Sequence, residues 1–260
     1  MKRPKKAVVL LSGGLDSAVT LYDARKRGYQ CFCLIFDYGQ RHRREIESAK
    51  KVASAAHSSF EVLKINLAWK GSALLDQRIS VPSRQRVAPR PPADAPGAYE
   101  GTPGAYRNCA GVRYGAQLRR CPARAGIPST YVPGRNIIFL SFALSYAEAI
   151  GAEAIFIGAH AQDYSGYPDC RPEFYRAFSR VIATGTKAGV EKRKIRVLTP
   201  LIHKTKAGII KLGARLRVPF NVTWSCYRGG KTPCGACDSC YYRSKGFKEA
   251  GIQQTPGLKG

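Results

Sequence analysis

The sequence predicts an α/β fold: a five-stranded parallel sheet with helices on both faces, plus a small C-terminal zinc-binding segment. Three observations predict the sheet. Five short apolar runs, at 7–11, 31–36, 60–65, 154–158 and 195–198, alternate with helical patterns at 17–26, 43–56, 136–150, 171–188 and 205–212. Such alternation builds parallel sheets. Runs such as VVLL and AIFIG are near-continuously apolar, as burial on both sheet faces requires. The ends of the runs carry chemistry: Ser12-Gly13-Gly14-Leu15-Asp16-Ser17, Asp37-Tyr38-Gly39-Gln40-Arg41-His42, Gly158-Ala159-His160 and Thr199-Pro200-Leu201. Ligands of open parallel sheets sit outside the carboxyl ends of the strands.

The first run enters a glycine turn and then a helix, which makes an anion site. Turn glycines let backbone N–H groups converge, and the helix start adds unpaired donors and the positive end of its dipole. Ser12 and Ser17 add hydroxyls. No lysine follows the glycines, so this is not the G-x-x-x-x-G-K-[ST] loop. Ser-Gly-Gly-x-Asp-Ser is the signature of the PP-loop ATP pyrophosphatases, which the chain resembles. The resemblance implies an adenine nucleotide α-hydrolase-like sheet and cleavage of ATP between its α and β phosphates. It places Leu11, Ser12, Gly13, Gly14, Leu15, Asp16, Ser17, Ala18 and Val19 around the pyrophosphate, with Ser12, Asp16 and Ser17 as candidate catalytic residues. Asp16 is repulsive beside phosphates unless it caps the helix or meets magnesium. Lys204 and Lys206, opening the last helical pattern, are within reach of phosphate or belong to a solvated face.

In the second run Cys31 and Cys33 read as small core residues. Asp37 at its end is placed to face ribose or adenine. From about 78 to 126 the chain is rich in Pro, Arg, Gly and Ala and has no periodicity. Structureless stretches beyond ~12–15 residues are uncommon inside compact domains, so a flexible insertion is expected there in preference to a lid. The tail after Arg243 is Gly-rich and is expected to be poorly ordered. The expected division is a nucleotide-binding domain at 1–220 and a zinc-binding segment at 221–260.

Cys226, Cys234, Cys237 and Cys240 follow a Cys-x7-Cys-x2-Cys-x2-Cys spacing. Four thiolates so close match tetrahedral structural zinc, one ion per chain. An iron–sulfur cluster is the rival, but no Cys-Pro pair ends the run and the first cysteine is distant. Between loop and cysteines lies Asp163-Tyr164-Ser165-Gly166-Tyr167-Pro168-Asp169-Cys170-Arg171-Pro172-Glu173-Phe174. Two tyrosines, two aspartates and an arginine around Gly and Pro suit a flat polar heterocycle: aromatic faces to stack, carboxylates for ring N–H groups, arginine for an acid.

The composition sets outer bounds. An apolar share of 44% in 260 residues supports a real core. No apolar run approaches the ~18 residues of a membrane span. The basic start followed by AVVLL is too short for a signal peptide, so a mature, cytoplasmic chain is expected. The formal charge of +26 makes nucleic acid the first macromolecular partner to weigh. The charge is spread along the chain and not interleaved with aromatics, so any contact is expected to be non-specific.

Taken together, 36–42, 131–136 (Tyr131-Val132-Pro133-Gly134-Arg135-Asn136), 163–174, 199–202 and the Trp224-to-Cys240 stretch, with Ser12 to Ser17, closely resemble the 7-cyano-7-deazaguanine synthase family of queuosine biosynthesis. The resemblance covers nearly the whole chain outside 78–126 and the last residues. It implies an ATP-dependent ligase that takes 7-carboxy-7-deazaguanine and ammonia to the nitrile through adenylated carboxylate and amide, with one zinc and with magnesium accompanying ATP. Arg135, Asp163, Tyr164, Tyr167, Asp169 and Arg171 are the candidate deazaguanine contacts. The alternatives are a tRNA-modifying PP-loop enzyme, which the basic charge favours, and a deazaguanine enzyme serving DNA modification or defence. A homodimer is left open.

Overall fold

The parallel sheet is formed by β1 (Lys5–Leu10), β2 (Tyr29–Asp37), β3 (Ser59–Lys64), β4 (Ala154–Phe156) and β5 (Arg196–Leu198). Their order is β3-β2-β1-β4-β5, and every pair is parallel. The structure, a computed structural model, describes residues 4–40, 43–67, 71–82, 127–160 and 167–254. All of these lie in one unit, Met1–Arg84 with Gly126–Gly260. The strand order reverses at β1, whose neighbours are β2 on one side and β4 on the other. That is the switch point at which a crevice opens beyond the strand ends.

Alternation along β1 explains the two layers. Ala7, Val9 and Leu11 join one buried cluster with α1 (Leu15–Lys26), α2 (Arg44–Ala55), α6 (Lys206–Arg215) and α7 (Asp238–Ala250). Val8 and Leu10 join the other, with α3 (Arg135–Ile150) and α4 (Pro172–Gly185). Val8 and Val9 are both fully buried, which explains why the run reads as continuously apolar and not alternating. Full burial of one such side chain contributes about 1.5–3 kcal/mol, so a charge at either position would break the layer it faces.

Three expectations need correction. The helical pattern at 171–188 is not one helix: α4 ends at Gly185, and Thr186, in extended backbone, caps a separate α5 (Lys187–Val190) by accepting from the Gly189 N–H at 2.9 Å. The tail is ordered well past Arg243, because α7 runs to Ala250 and ends on Gly251 in the left-handed region. Its buried face is Cys240, Arg243, Gly246 and Phe247, a set with no aliphatic periodicity to betray it. Phe247 meets Phe220 edge-on at 5.3 Å, and a side chain at Gly246 would collide with the Lys206 stem at 2.5 Å. The third concerns 78–126. Ile79 and Val81 pack on the cluster of Trp224, Cys226, Cys237 and Cys240, so the stretch begins as part of the fold. Residues 83–126 lie outside the described residues. Among the described residues no helix is long and apolar enough to cross a membrane.

Candidate active site

The phosphate loop shapes itself. Ser17 Oγ accepts from the Ser12 N–H at 3.2 Å, lies 3.1 Å from Ser12 Oγ and donates to the Gly14 carbonyl at 3.1 Å. Ser12 Oγ accepts from the Gly14 N–H at 3.3 Å. Gly13 sits at φ +80°, and a Cβ there would lie 2.2 Å from the Glu45 carbonyl oxygen and 2.6 Å from the Ala49 nitrogen. Only glycine meets both demands, the backbone region and the close approach of α2. Gly14 caps α1 without a side-chain hydrogen bond, which leaves the first helical N–H groups for an anion. Gly158, after β4, leaves room for the loop: a Cβ there would lie 3.1 Å from the Ser17 nitrogen.

Asp16, in the first turn of α1, has a partner for its charge. Lys206 Nζ donates to its two oxygens at 2.9 and 2.8 Å and lies 3.0 Å from His160 Nε2. Burial by itself raises the Asp16 pKa, but Lys206 and then His160 more than offset this and hold the carboxyl well below the usual carboxylate range. Lys206 is therefore at the loop and not on a solvated face, while Lys204 does not line the cleft.

A cleft of about 240 Å³ opens over the loop and the strand ends. Of the expected nucleotide contacts, Leu11, Ser12, Gly14, Leu15, Asp16 and Ser17 line it. Gly13 shapes the turn behind it, Ala18 and Val19 are fully buried in the core, and Asp37 does not line it. Of the expected deazaguanine contacts, Arg135 and Tyr167 line it. Tyr167 is placed by a 2.7 Å hydrogen bond to Thr130 Oγ1, and Arg135 donates to the Tyr38 hydroxyl at 3.4 Å. Asp169 is buried, and its Oδ2 accepts from the Asn136 N–H at 3.0 Å at the start of α3. Arg171 is exposed and precedes α4. Asp163 and Tyr164 lie outside the described residues.

Several cleft residues escaped the sequence reading. Tyr38, Gln40, Glu45, Asn136, Phe139, Trp224, Ser225, Tyr227 and Ser239 all line it. Tyr38, Gln40, Asn136, Trp224, Ser225, Tyr227 and Ser239 stand inside segments already marked by their resemblance, which was the available signal. Glu45 and Phe139 carried none, because each is one residue on a helix face. Gln40 folds back on its own turn, accepting from the Tyr38 N–H at 2.8 Å and donating to the Phe36 carbonyl at 3.0 Å. Burial pushes the Glu45 carboxyl up to about 7, against the pull of Arg135 and with a smaller push from Cys226.

The cysteine segment forms one wall. The Trp224 N–H donates to the Gly13 carbonyl at 2.9 Å, and the Arg44 guanidinium sits 5.2 Å from the Trp224 ring centre. Arg243 of α7 donates to Thr223 Oγ1, Ser225 Oγ and the Phe220 carbonyl at 2.8, 3.2 and 2.9 Å. The sulfurs of Cys226, Cys234, Cys237 and Cys240 all lie within 4.8 Å of one another. A tetrahedral zinc with ~2.3 Å bonds needs sulfurs ~3.8 Å apart, so the group fits a metal ion with little movement. The Arg228 and Cys234 N–H groups donate to Cys226 Sγ at 3.4 and 3.3 Å, and the Cys237 N–H donates to Cys234 Sγ at 3.3 Å. Hydrogen bonds from Cys237 and Cys240 pull the Cys226 thiol far below its ordinary value.

The comparisons with known proteins give the family. The family model described as queuosine biosynthesis protein QueC matches residues 6–97 and 112–251. The chain is 48% identical over 252 residues to the 7-cyano-7-deazaguanine synthase of Acetivibrio thermocellus, covering 96% of each. It is 46% identical to that of Trichormus variabilis, covering 98% of this chain and 99% of the relative. With that of Thermoplasma volcanium it shares 43%, covering 96% and 89%. The match runs through much of 78–126 and leaves out only 98–111 within it, so the departure from the family is shorter than the sequence reading expects. With nearly its whole length matched and its phosphate loop, aromatic cleft and four-cysteine group joined in one unit, the chain belongs to the queuosine biosynthesis protein QueC family.

Proposed function

We infer that the protein makes 7-cyano-7-deazaguanine from 7-carboxy-7-deazaguanine and ammonia, activating oxygen with ATP. The observation that carries this reading is the full-length likeness to synthases of that name at 43–48% identity. The cleft supports it, since one continuous space joins the phosphate loop to Tyr38, Phe139, Arg135 and Tyr167.

The chemistry explains why both parts are needed. A carboxylate does not react with ammonia unaided. Transfer of AMP to its oxygen makes a leaving group, and ammonia displaces it to give the amide. Loss of the amide oxygen needs a second activation, most simply the same one. The helix N–H groups after Gly14 and the Ser12 and Ser17 hydroxyls, which line the cleft, would meet the charge that develops on departing pyrophosphate. Lys206 keeps Asp16 ionised and compensated beside that charge. Arg135, held at the Tyr38 hydroxyl, would meet the substrate carboxylate. Magnesium would arrive with ATP and offset phosphate charge. Zinc on the four cysteines would be structural, fixing the wall from Trp224 to Ser239. A small-molecule acceptor makes RNA unnecessary for turnover, and the basic charge is read as a source of non-specific nucleic-acid contact. A cytoplasmic enzyme fits four cysteines kept reduced for a metal.

The test is incubation with carboxydeazaguanine, ATP and ammonium. The nitrile by mass, with AMP and pyrophosphate released, is expected. ADP and phosphate as the sole nucleotide products would sink the adenylation reading.

A further inference from the structure

A deazaguanine offers a protein three handles: a flat aromatic ring, an anionic carboxyl at one end, and a pair of parallel donors, ring N1–H and the 2-amino group, at another. Tyr38, Phe139 and Tyr167 line the cleft and suit the ring, and Arg135, which also lines it, suits the carboxyl. Two parallel donors match the two oxygens of one carboxylate. Among the described residues the cleft is lined by two carboxylates, Asp16 and Glu45. Asp16 has both oxygens on Lys206. Asp169, on which the sequence reading relied, has Oδ2 on the start of α3. Glu45 has no hydrogen-bond or ion-pair partner among the described residues.

Its position is fixed from behind. Glu45 stands in the first turn of α2, whose backbone Gly13 approaches closely, and its neighbour Ile46 is buried in the core. A carboxylate drawn out of water without a donor is costly, and a ligand that brings two donors recovers that cost. We propose that Glu45 is the specificity-determining residue for the guanine-type edge, its two oxygens accepting from N1–H and the 2-amino group. This rests on the deazaguanine reading of the cleft and names the contact that would separate this substrate from ring systems lacking that edge.

The test compares wild type and Glu45→Gln on 7-carboxy-7-deazaguanine and on the analogue with hydrogen in place of the 2-amino group. Losing one charged hydrogen bond should cost wild type about 10- to 100-fold in kcat/KM. Glu45→Gln should lose a similar factor on the full substrate, mainly in KM, because the amide turns its own NH2 toward the substrate donors. It should then separate the two substrates by no more than about threefold, since the two changes remove one shared contact. A variant that keeps wild-type discrimination while kcat falls would place Glu45 in proton transfer to or from the attacking nitrogen, and overturn the proposal. Unchanged kcat and KM would overturn it too. Binding of a non-cleavable ATP analogue checks that the variant is folded. Should Glu45→Gln not fold, Glu45→Asp keeps the carboxylate at shorter reach and should show weakened but measurable discrimination; full discrimination would again count against the role. Nitrile formation by the wild type is the control, because its absence would refute the assigned reaction and not the role of Glu45.

Discussion

The phosphate loop and the wall that faces it are built in opposite ways. The side-chain hydrogen bonds made by Ser12 and Ser17 in the loop turn join residues five or fewer apart. Across the cleft, Tyr167 reaches Thr130, 37 residues away, and Arg135 reaches Tyr38, 97 residues away. The loop itself has a long-range side-chain tie in Asp16 to Lys206, over 190 residues. A local turn forms wherever its residues occur in order. The wall exists only once the sheet has brought β2, α3 and α7 to one end. The loop should therefore tolerate damage elsewhere, and the wall should fail as a unit.

Removing the metal site should give the largest effect. Cys237→Ser is expected to lose bound metal and loosen α7 together with the strip from Thr223 to Tyr227, since little apolar area holds that strip otherwise. Metal binding to four cysteines is worth on the order of 10 kcal/mol in small domains. Elemental analysis and protease resistance of the C-terminal region are the readouts; resistance unchanged in metal-free protein would mean that Arg243 and Phe247 suffice. Zinc should depart with proton uptake at low pH, whereas iron with a broad band near ~400 nm would restore the cluster reading.

Ser17→Ala attacks the loop alone. With the Ser17 hydroxyl turned from the Gly14 carbonyl to pyrophosphate in the reacting complex, turnover should drop by about 10²–10³ with folding preserved, the cost of one donor to developing charge. Normal turnover in steady-state assays would remove pyrophosphate from the loop.

Lys206→Met links the two regions. The pair is partly shielded, so its loss should destabilise by about 1–2 kcal/mol. The sign follows from the depressed Asp16 pKa: the stabilisation is present above the unfolded carboxyl value and is lost as pH falls through the lower folded value. The wild type should hence show an acid-side loss that the variant lacks, read by denaturant unfolding between pH 2 and pH 5, a window set by ordinary carboxyl values of about 4. Matching pH profiles would show that the ion pair adds nothing to stability.

Asp169→Ala and Arg171→Ala should have the smallest effects. The first loses a helix-start acceptor, worth about 1 kcal/mol, and should shift Tm and KM together through Asn136 and Arg135. A raised KM with unchanged Tm would mean that Asp169 touches substrate directly. The second is exposed and should change kcat/KM less than about twofold, as isolated surface substitutions do.

The amino-acid order by itself determined what depends on neighbours in the chain. Apolar continuity in 7–11 and 154–158 reveals strands covered on both faces, because no solvent face asks for alternation. The turn from Ser12 to Ser17 is legible because its shape rests on its own backbone and hydroxyls. The four cysteines are legible as a group that could hold a metal ion because their spacing spans a short loop. Asp169 shows the limit: its residue type suits a ring donor, and only the tertiary structure shows that the Asn136 N–H already occupies one of its oxygens. The same holds for α7, whose packing rests on Gly246 being small and Arg243 being satisfied, neither of which leaves an apolar period. Glu45 is one acid among many until the fold brings it to the cleft, with no hydrogen-bond partner among the described residues. Side-chain partners chosen across long sequence separations are set by the path of the chain in space, and no local pattern encodes them.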